Sequence, residues 1–213
     1  RDYPSFAEGA QRTGTPWKAQ TDLFVKPTLN LWELSKPTIA QVHGYCLGGG
    51  THYGLTTDIV IAADDAYFSY PPLQGFGMPS GECSIEPWVF MNWRRASYYL
   101  YTAEKVDAAK ALEYGLINEV VPRDELEDRV ESIARHIAQA PLTTLMATKA
   151  NIKRAWEMMG MRVHWQTSND LVVLASMSSD VQQLIGQVLK GQIKPAEMAA
   201  RQAAAASDGA ATP

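Results

Sequence analysis

Cysteine is scarce in this chain. Only Cys46 and Cys83 occur among 213 residues, too few to staple a disulfide scaffold, so reduced thiols are expected. Long hydrophobic runs are missing as well, with nothing near the roughly 18–20 apolar residues of a membrane span. The opening Arg1-Asp2-Tyr3-Pro4-Ser5 has neither a methionine nor the apolar core of a signal peptide. Positive charge is not in excess, with 19 Lys and Arg against 23 Asp and Glu and a net charge of -4. That balance offers no broad cationic face for nucleic acid or an anionic membrane, so an anionic ligand needs local donors. The histidines, His43, His52, His136 and His164, lack the spacing of a zinc site, and no metal is expected. No internal repeat is visible. What remains, 46% hydrophobic and 20% charged residues, suffices for one globular domain with a real core, expected in the cytoplasm.

Residues 1–22, rich in Gly, Pro, Thr and charge, read as a loop or lid. A helical stretch follows, with Leu23, Phe24, Leu31 and Leu34 apolar and Pro27 near its start. Lys36-Pro37 ends it, because the residue before proline is pushed to extended geometry. Thr38–Val42, Asp58–Ala63, Tyr67–Tyr70 and Leu116–Val121 read as short buried strands. Between and after them the apolar period becomes 3.6. Leu126, Val130, Ile133, Ala134 and Ile137 fall on one face of a helix over Asp124–Ala138, and Leu142, Leu145, Met146, Lys149 and Ile152 continue a stripe after Pro141. Asp107–Tyr114 is a short helix ended by Gly115. One amphipathic helix packed inside its own domain accounts for most of Trp88, Trp93, Arg94, Arg95, Tyr98, Tyr99 and Tyr101, with an acyl pocket or subunit interface as the alternative. The alanine-rich tail from Ala196 is expected to fray. Strands alternating with helices argue an α/β domain whose last third is helical.

The densest chemical signal is His43-Gly44-Tyr45-Cys46-Leu47-Gly48-Gly49-Gly50-Thr51-His52, between the strand ending at Val42 and a short helix to about Thr57. Glycines at a strand-to-helix turn permit close backbone approach and leave amide N–H groups free at a helix N-terminus, suited to a phosphate or an oxyanion. A P-loop needs Gly-Lys-Ser/Thr, and Gly50-Thr51-His52 supplies no lysine. A dinucleotide fingerprint needs a third glycine where Tyr53 stands, with Gly54 one place late. A tight turn without a ligand is the remaining bland reading.

Lys36-Pro37-Thr38-Ile39-Ala40-Gln41-Val42-His43-Gly44-Tyr45-Cys46-Leu47-Gly48-Gly49-Gly50, followed by Asp58–Asp64, Ala66-Tyr67-Phe68, Gly75–Gly81 and Ala108–Val121, resembles the crotonase (enoyl-CoA hydratase/isomerase) superfamily over about residues 36–157. The resemblance implies a ClpP/crotonase-like ββα spiral: a core over 1–122, a helical oligomerisation region over 123–206, and a disordered tail over 207–213. It implies an acyl-CoA thioester as partner, with coenzyme A part of the substrate and no separate cofactor, and assembly as a homotrimer or hexamer. In that family two backbone amides form an oxyanion hole. By motif Gly49 matches one donor; the segment carrying the other is not found, so a truncated chain is expected. Cys46, Leu47, Gly48, Tyr70 and Pro72 fall at substrate-binding positions. Cys46 has no dedicated base and reads as a small core residue rather than a nucleophile.

The departures lie in the acid–base pair. Hydratases of the family carry one glutamate two places after the glycine triplet and another after a Gln-Pro pair; here His52 and Pro72 stand there. Two carboxylates are what poises water for addition, so ordinary hydration is not expected. His52 can itself act as a base near neutrality, against the plain reading of a first-turn histidine. Glu82 and Glu86 follow the glycine turn Gly77–Gly81, and Glu82 is the second candidate, against an exposed loop carboxylate. Where the family often places a basic run reaching a neighbour's CoA, only Lys190 and Lys194 stand nearby, a further departure. The reading is an acyl-CoA enzyme stabilising a thioester enolate. Its alternatives are a catalytically weak acyl-CoA binder, a hydrolase or carbon–carbon cleaving variant and, last, a purely structural subunit.

Overall fold

The computed structural model describes residues 16–193, apart from Ser80 and Glu82. The loop expected through residue 22 is corrected where it is described: α1 (Pro16–Gln20) passes through a π-helical turn at Thr21–Val25 into α2 (Lys26–Glu33). Tertiary contact overrides the polar composition here. Ala19, Gln20 and Val25 are buried, and the Trp17 indole donates to Asp170 at 2.9 Å, far along the chain. The tail from Ala196 lies outside the described residues.

Beyond Pro37 the chain alternates between two small sheets. β1 (Ile39–Val42) is followed at once by β2 (Tyr45–Leu47), α3 (Gly49–Thr56), β3 (Ile59–Ala63) and β4 (Tyr67–Ser69). α4 (Pro72–Phe76), α5 (Glu86–Phe90) and α6 (Trp93–Thr102) come next, then β5 (Val106–Asp107), α7 (Ala108–Glu113) and β6 (Glu119–Val121). One sheet has the order β1-β3-β6, with both pairings parallel; the other has β2-β4-β5, parallel then antiparallel. The registers Ile39↔Ile59 and Cys46↔Phe68 show successive strand pairs stacking one turn along, which makes a ββα spiral. Strand β3 is flanked on both sides, which is why its sequence is uniformly apolar rather than alternating.

β2 was hidden in the glycine-rich segment: three residues long, with Tyr45 and Leu47 exposed around buried Cys46. The fourth expected strand begins at Glu119 rather than Leu116. Asn118 satisfies β3 with its own groups, its side-chain oxygen accepting from Val60 N at 2.8 Å and its N–H donating to Val60 O at 2.8 Å. The single helix proposed for the aromatic cluster is two helices, broken at Met91 (φ 46) with Asn92 capping α6 through Arg95 N. Tyr99 is fully buried there, whereas Trp93, Tyr98 and Tyr101 are exposed.

The last third is helical: α8 (Leu126–Ile137), α9 (Leu142–Met158), α10 (Met161–Ser176) and α11 (Ser179–Leu189). α8 lays Leu126, Val130 and Ile133 on Ile61, Ala63 and Val121. α9 departs from its expected apolar stripe. Leu142, Met146 and Ile152 are exposed, and the buried member is Lys149, whose Nζ lies 2.6 Å from Asp58 Oδ2 and 2.6 Å from Lys36 O. Asp58 also accepts from Thr38 N and Oγ1 at 2.7 and 2.8 Å, so one ammonium ties α9 to the starts of β1 and β3. Lys149→Met should cost about 2–3 kcal/mol in urea unfolding, because it strands a carboxylate that Thr38 only partly satisfies. No helix among the described residues is long and apolar enough to cross a membrane.

Candidate active site

The turn into α3 needs glycine first at Gly48, whose φ 53 and ψ -118 suit no ordinary L-residue. Gly48 N–H donates to Ser69 O at 3.0 Å, fixing the turn on the end of β4. Gly49 and Gly50 form the first turn of α3, where amides have no intrahelical acceptor and the helix dipole adds partial positive charge. Both are exposed, and a Cβ on either would meet nothing within 4 Å. Gly49 thus combines an exposed position in the first turn with room for a side-chain atom. Pro72, at the start of α4, faces Gly48, where a Cβ would lie 3.7 Å from its Cγ. Leu47 is partly exposed beside the turn, and Cys46 is buried beneath it. Burial pushes the Cys46 thiol up to about 11, despite the opposing Thr51 hydroxyl, which leaves it protonated and unreactive.

His52 sits one turn into α3 and points inward, 5% exposed. Its Nε2 lies 3.1 Å from Oε1 of Glu86, which is 0% exposed at the start of α5. The Ser84 hydroxyl donates to the other carboxylate oxygen at 3.0 Å, and Trp165 of α10 donates to Ser84 O at 3.1 Å. Paired with an ionised carboxylate, an imidazole donates through the facing nitrogen, which here is Nε2. Tyr70 stacks on the imidazole with ring centres 4.9 Å apart and planes 18° apart. Gly81 (φ +90) closes over both rings, and any side chain there would collide with the Tyr70 hydroxyl and the His52 ring. The result is a desolvated histidine–carboxylate pair held from several elements.

Two neighbours sense the same acid. Burial first, then the charge of Glu86, holds the Tyr99 phenol well above its usual range, with Thr51 opposing. Burial lowers the His164 imidazole although Glu86 opposes it. His164 is accordingly neutral, accepting from the Trp88 indole at its Nδ1 (2.9 Å).

Of the candidates read from the sequence, Gly48, Gly49, His52, Tyr70 and Pro72 are brought together around one turn. Glu82 lies outside the described residues. The carboxylate that reaches His52 is Glu86, the less favoured of the two acids after the glycine turn. A signal for it existed: a lone acid within Cys83-Ser84-Ile85-Glu86-Pro87-Trp88-Val89-Phe90 is destined for burial, and a buried carboxylate needs a partner.

This fold has many counterparts. The family model for enoyl-CoA hydratase/isomerase matches residues 5–185, so the chain belongs to that family. It is 32% identical over 144 residues to a hydroxycinnamoyl-CoA hydratase-lyase of Pseudomonas fluorescens, covering 65% of this chain and 50% of that one. Over 119 residues it is 33% identical to the (7aS)-7a-methyl-1,5-dioxo-2,3,5,6,7,7a-hexahydro-1H-indene-carboxyl-CoA hydrolase of Mycobacterium tuberculosis, covering 56% and 47%. The chain thus spans about half the length of these relatives. The crystal structure of an enoyl-CoA hydratase/isomerase from Xanthobacter autotrophicus Py2 superposes with a TM-score of 0.78 at 28% identity, covering 88% of this chain and 70% of that one.

Proposed function

We propose that this protein performs acid–base chemistry on an acyl-CoA thioester, using a histidine–glutamate pair in place of two carboxylates. The carrying observation is the buried His52–Glu86 hydrogen bond, its histidine three residues beyond the exposed Gly49 on the same short helix. In this reading the Gly49 N–H receives the thioester oxygen as it gains charge, and the rest of the turn orients the acyl group. His52 moves the proton, while Glu86 holds the ring and stabilises the cation formed. Ordinary hydration fits poorly, because Pro72 offers no proton to the second side of a double bond. The names of the two relatives above, a hydratase-lyase and a hydrolase, fit a reaction that ends in bond cleavage. Assembly as a trimer or hexamer belongs to the same reading.

Calorimetry with acetyl-CoA and longer acyl-CoAs, paired with an absorbance assay on crotonyl-CoA, tests it. The expected result is heat with a thioester but hydration about 10² to 10⁴ below that of efficient hydratases, the usual worth of one general acid–base group. Binding of NAD without any thioester heat would sink the reading, and hydration at full hydratase speed would refute the role given to the replaced carboxylates. The near-complete burial of His52 favours a second reading, acyl-CoA binding without turnover. A broad acyl-CoA screen that yields no product would select it.

A further inference from the structure

Lys153 takes no part in that site, yet its surroundings are unusual for a lysine. It lies one turn after Lys149 on α9 and borders a groove of about 480 Å³ walled by Trp32, Ile85, Trp88, Trp156 and Met161. Its Nζ stands 4.4 Å from the centre of the Trp32 ring. The nearby acids are engaged elsewhere: Asp58 pairs with Lys149, and Glu157 and Glu33 both pair with Arg162. Among the described residues this half-buried amine has no ion pair of its own, and it faces a groove that combines those apolar walls with Thr57, Asp58 and Asn118.

From this arrangement we infer that Lys153 is a self-acylation site, whose amine takes the acyl group of a thioester lodging its apolar chain among the groove tryptophans. The nitrogen attacks the thioester carbonyl carbon, the C–N bond forms as the C–S bond breaks, and the amine proton leaves with the sulfur. An amide and a free thiol result, with no oxidant or further reagent. Burial, then the Lys149 ammonium, brings the Lys153 amine down to about 8, against the opposing charges of Asp58 and Glu157. At neutral pH roughly a tenth is therefore in the nucleophilic form, against less than about one part in a thousand for an ordinary lysine. Natural acyl-CoAs as donors rest on the function proposed above; a small neutral thioester does not.

Peptide mass spectrometry after timed exposure of the whole protein to octanoyl-CoA, and separately to S-octanoyl-N-acetylcysteamine, reads the site directly. Lys153 should acylate about tenfold or more faster than the exposed Lys36, with a pH midpoint near 8 rather than the ordinary 10.4. Octanoyl donors should outrun acetyl donors by about tenfold through burial of the chain. Lys153→Arg should remove the adduct while leaving thermal unfolding unchanged. Labelling by the small thioester in a protein that gives no heat with any acyl-CoA would uphold the site and remove the acyl-CoA function instead. Equal labelling across lysines, or equal rates for acetyl and octanoyl donors, would overturn the inference.

Discussion

His52→Ala should lower kcat/KM on any acyl-CoA that the wild type converts by about 10² to 10⁴. The size follows from losing the imidazole placed one helical turn from Gly49. Alanine also strands Glu86, wholly buried and left with Ser84 alone among the contacts described above, so stability should fall by about 3–5 kcal/mol. That collateral cost makes His52→Gln the necessary companion. Its amide can still donate to Glu86, which keeps the fold, yet it cannot accept a proton. Glu86→Gln completes the set: the carboxylate's shape persists while its charge is lost, and kcat should drop with KM nearly unchanged. If a folded His52→Gln and Glu86→Gln both keep wild-type kcat/KM, the pair is structural and the assignment of proton transfer fails.

Gly49→Pro should remove turnover by about 10² to 10³ while the fold survives. Proline deletes the single N–H assigned to the thioester oxygen, and the first helical position is where its ring is best tolerated. Gly48 helps, because φ 53 and ψ -118 mirror the extended geometry that a residue preceding proline prefers. Gly49→Ala is the discriminating control. A methyl there meets nothing within 4 Å and retains the N–H, so kcat should stay near wild type. Circular dichroism must accompany both variants. A folded proline variant with undiminished kcat would take the oxyanion role away from this amide.

The features read correctly from residues alone share one property: their signals are local. Ile59–Ala63 is apolar because it is covered on both sides, and Leu126, Val130 and Ile133 repeat because one helical face is covered. The glycine turn announces itself for a similar reason, since few other residues reach the backbone angles of Gly48. What stayed hidden depends on separation along the chain. Glu86 meets His52 across 34 residues, and Trp17 meets Asp170 across 153, with no periodicity to announce either. Lys149 was read as one member of an apolar stripe, yet it is the buried residue of α9, held there by groups on two distant segments. Short β2 was masked by the glycines around it. Glu86 was open to argument from its apolar context, whereas Glu82 lies outside the described residues.

The indole of Trp165 bears on how such a protein can be recombined. A boundary near residue 122 divides the spiral from the helices on composition, and invites their treatment as interchangeable modules. Yet Trp165 grips the Ser84 carbonyl, and Ser84 in turn grips the acid that holds His52. A chimera joining this spiral to a relative's helices would inherit the glycine turn intact and lose the clamp on its acid. Ancestry of the two parts is therefore coupled: the helices carry part of the site's geometry, and a swap preserves it only when the donor supplies an equivalent indole.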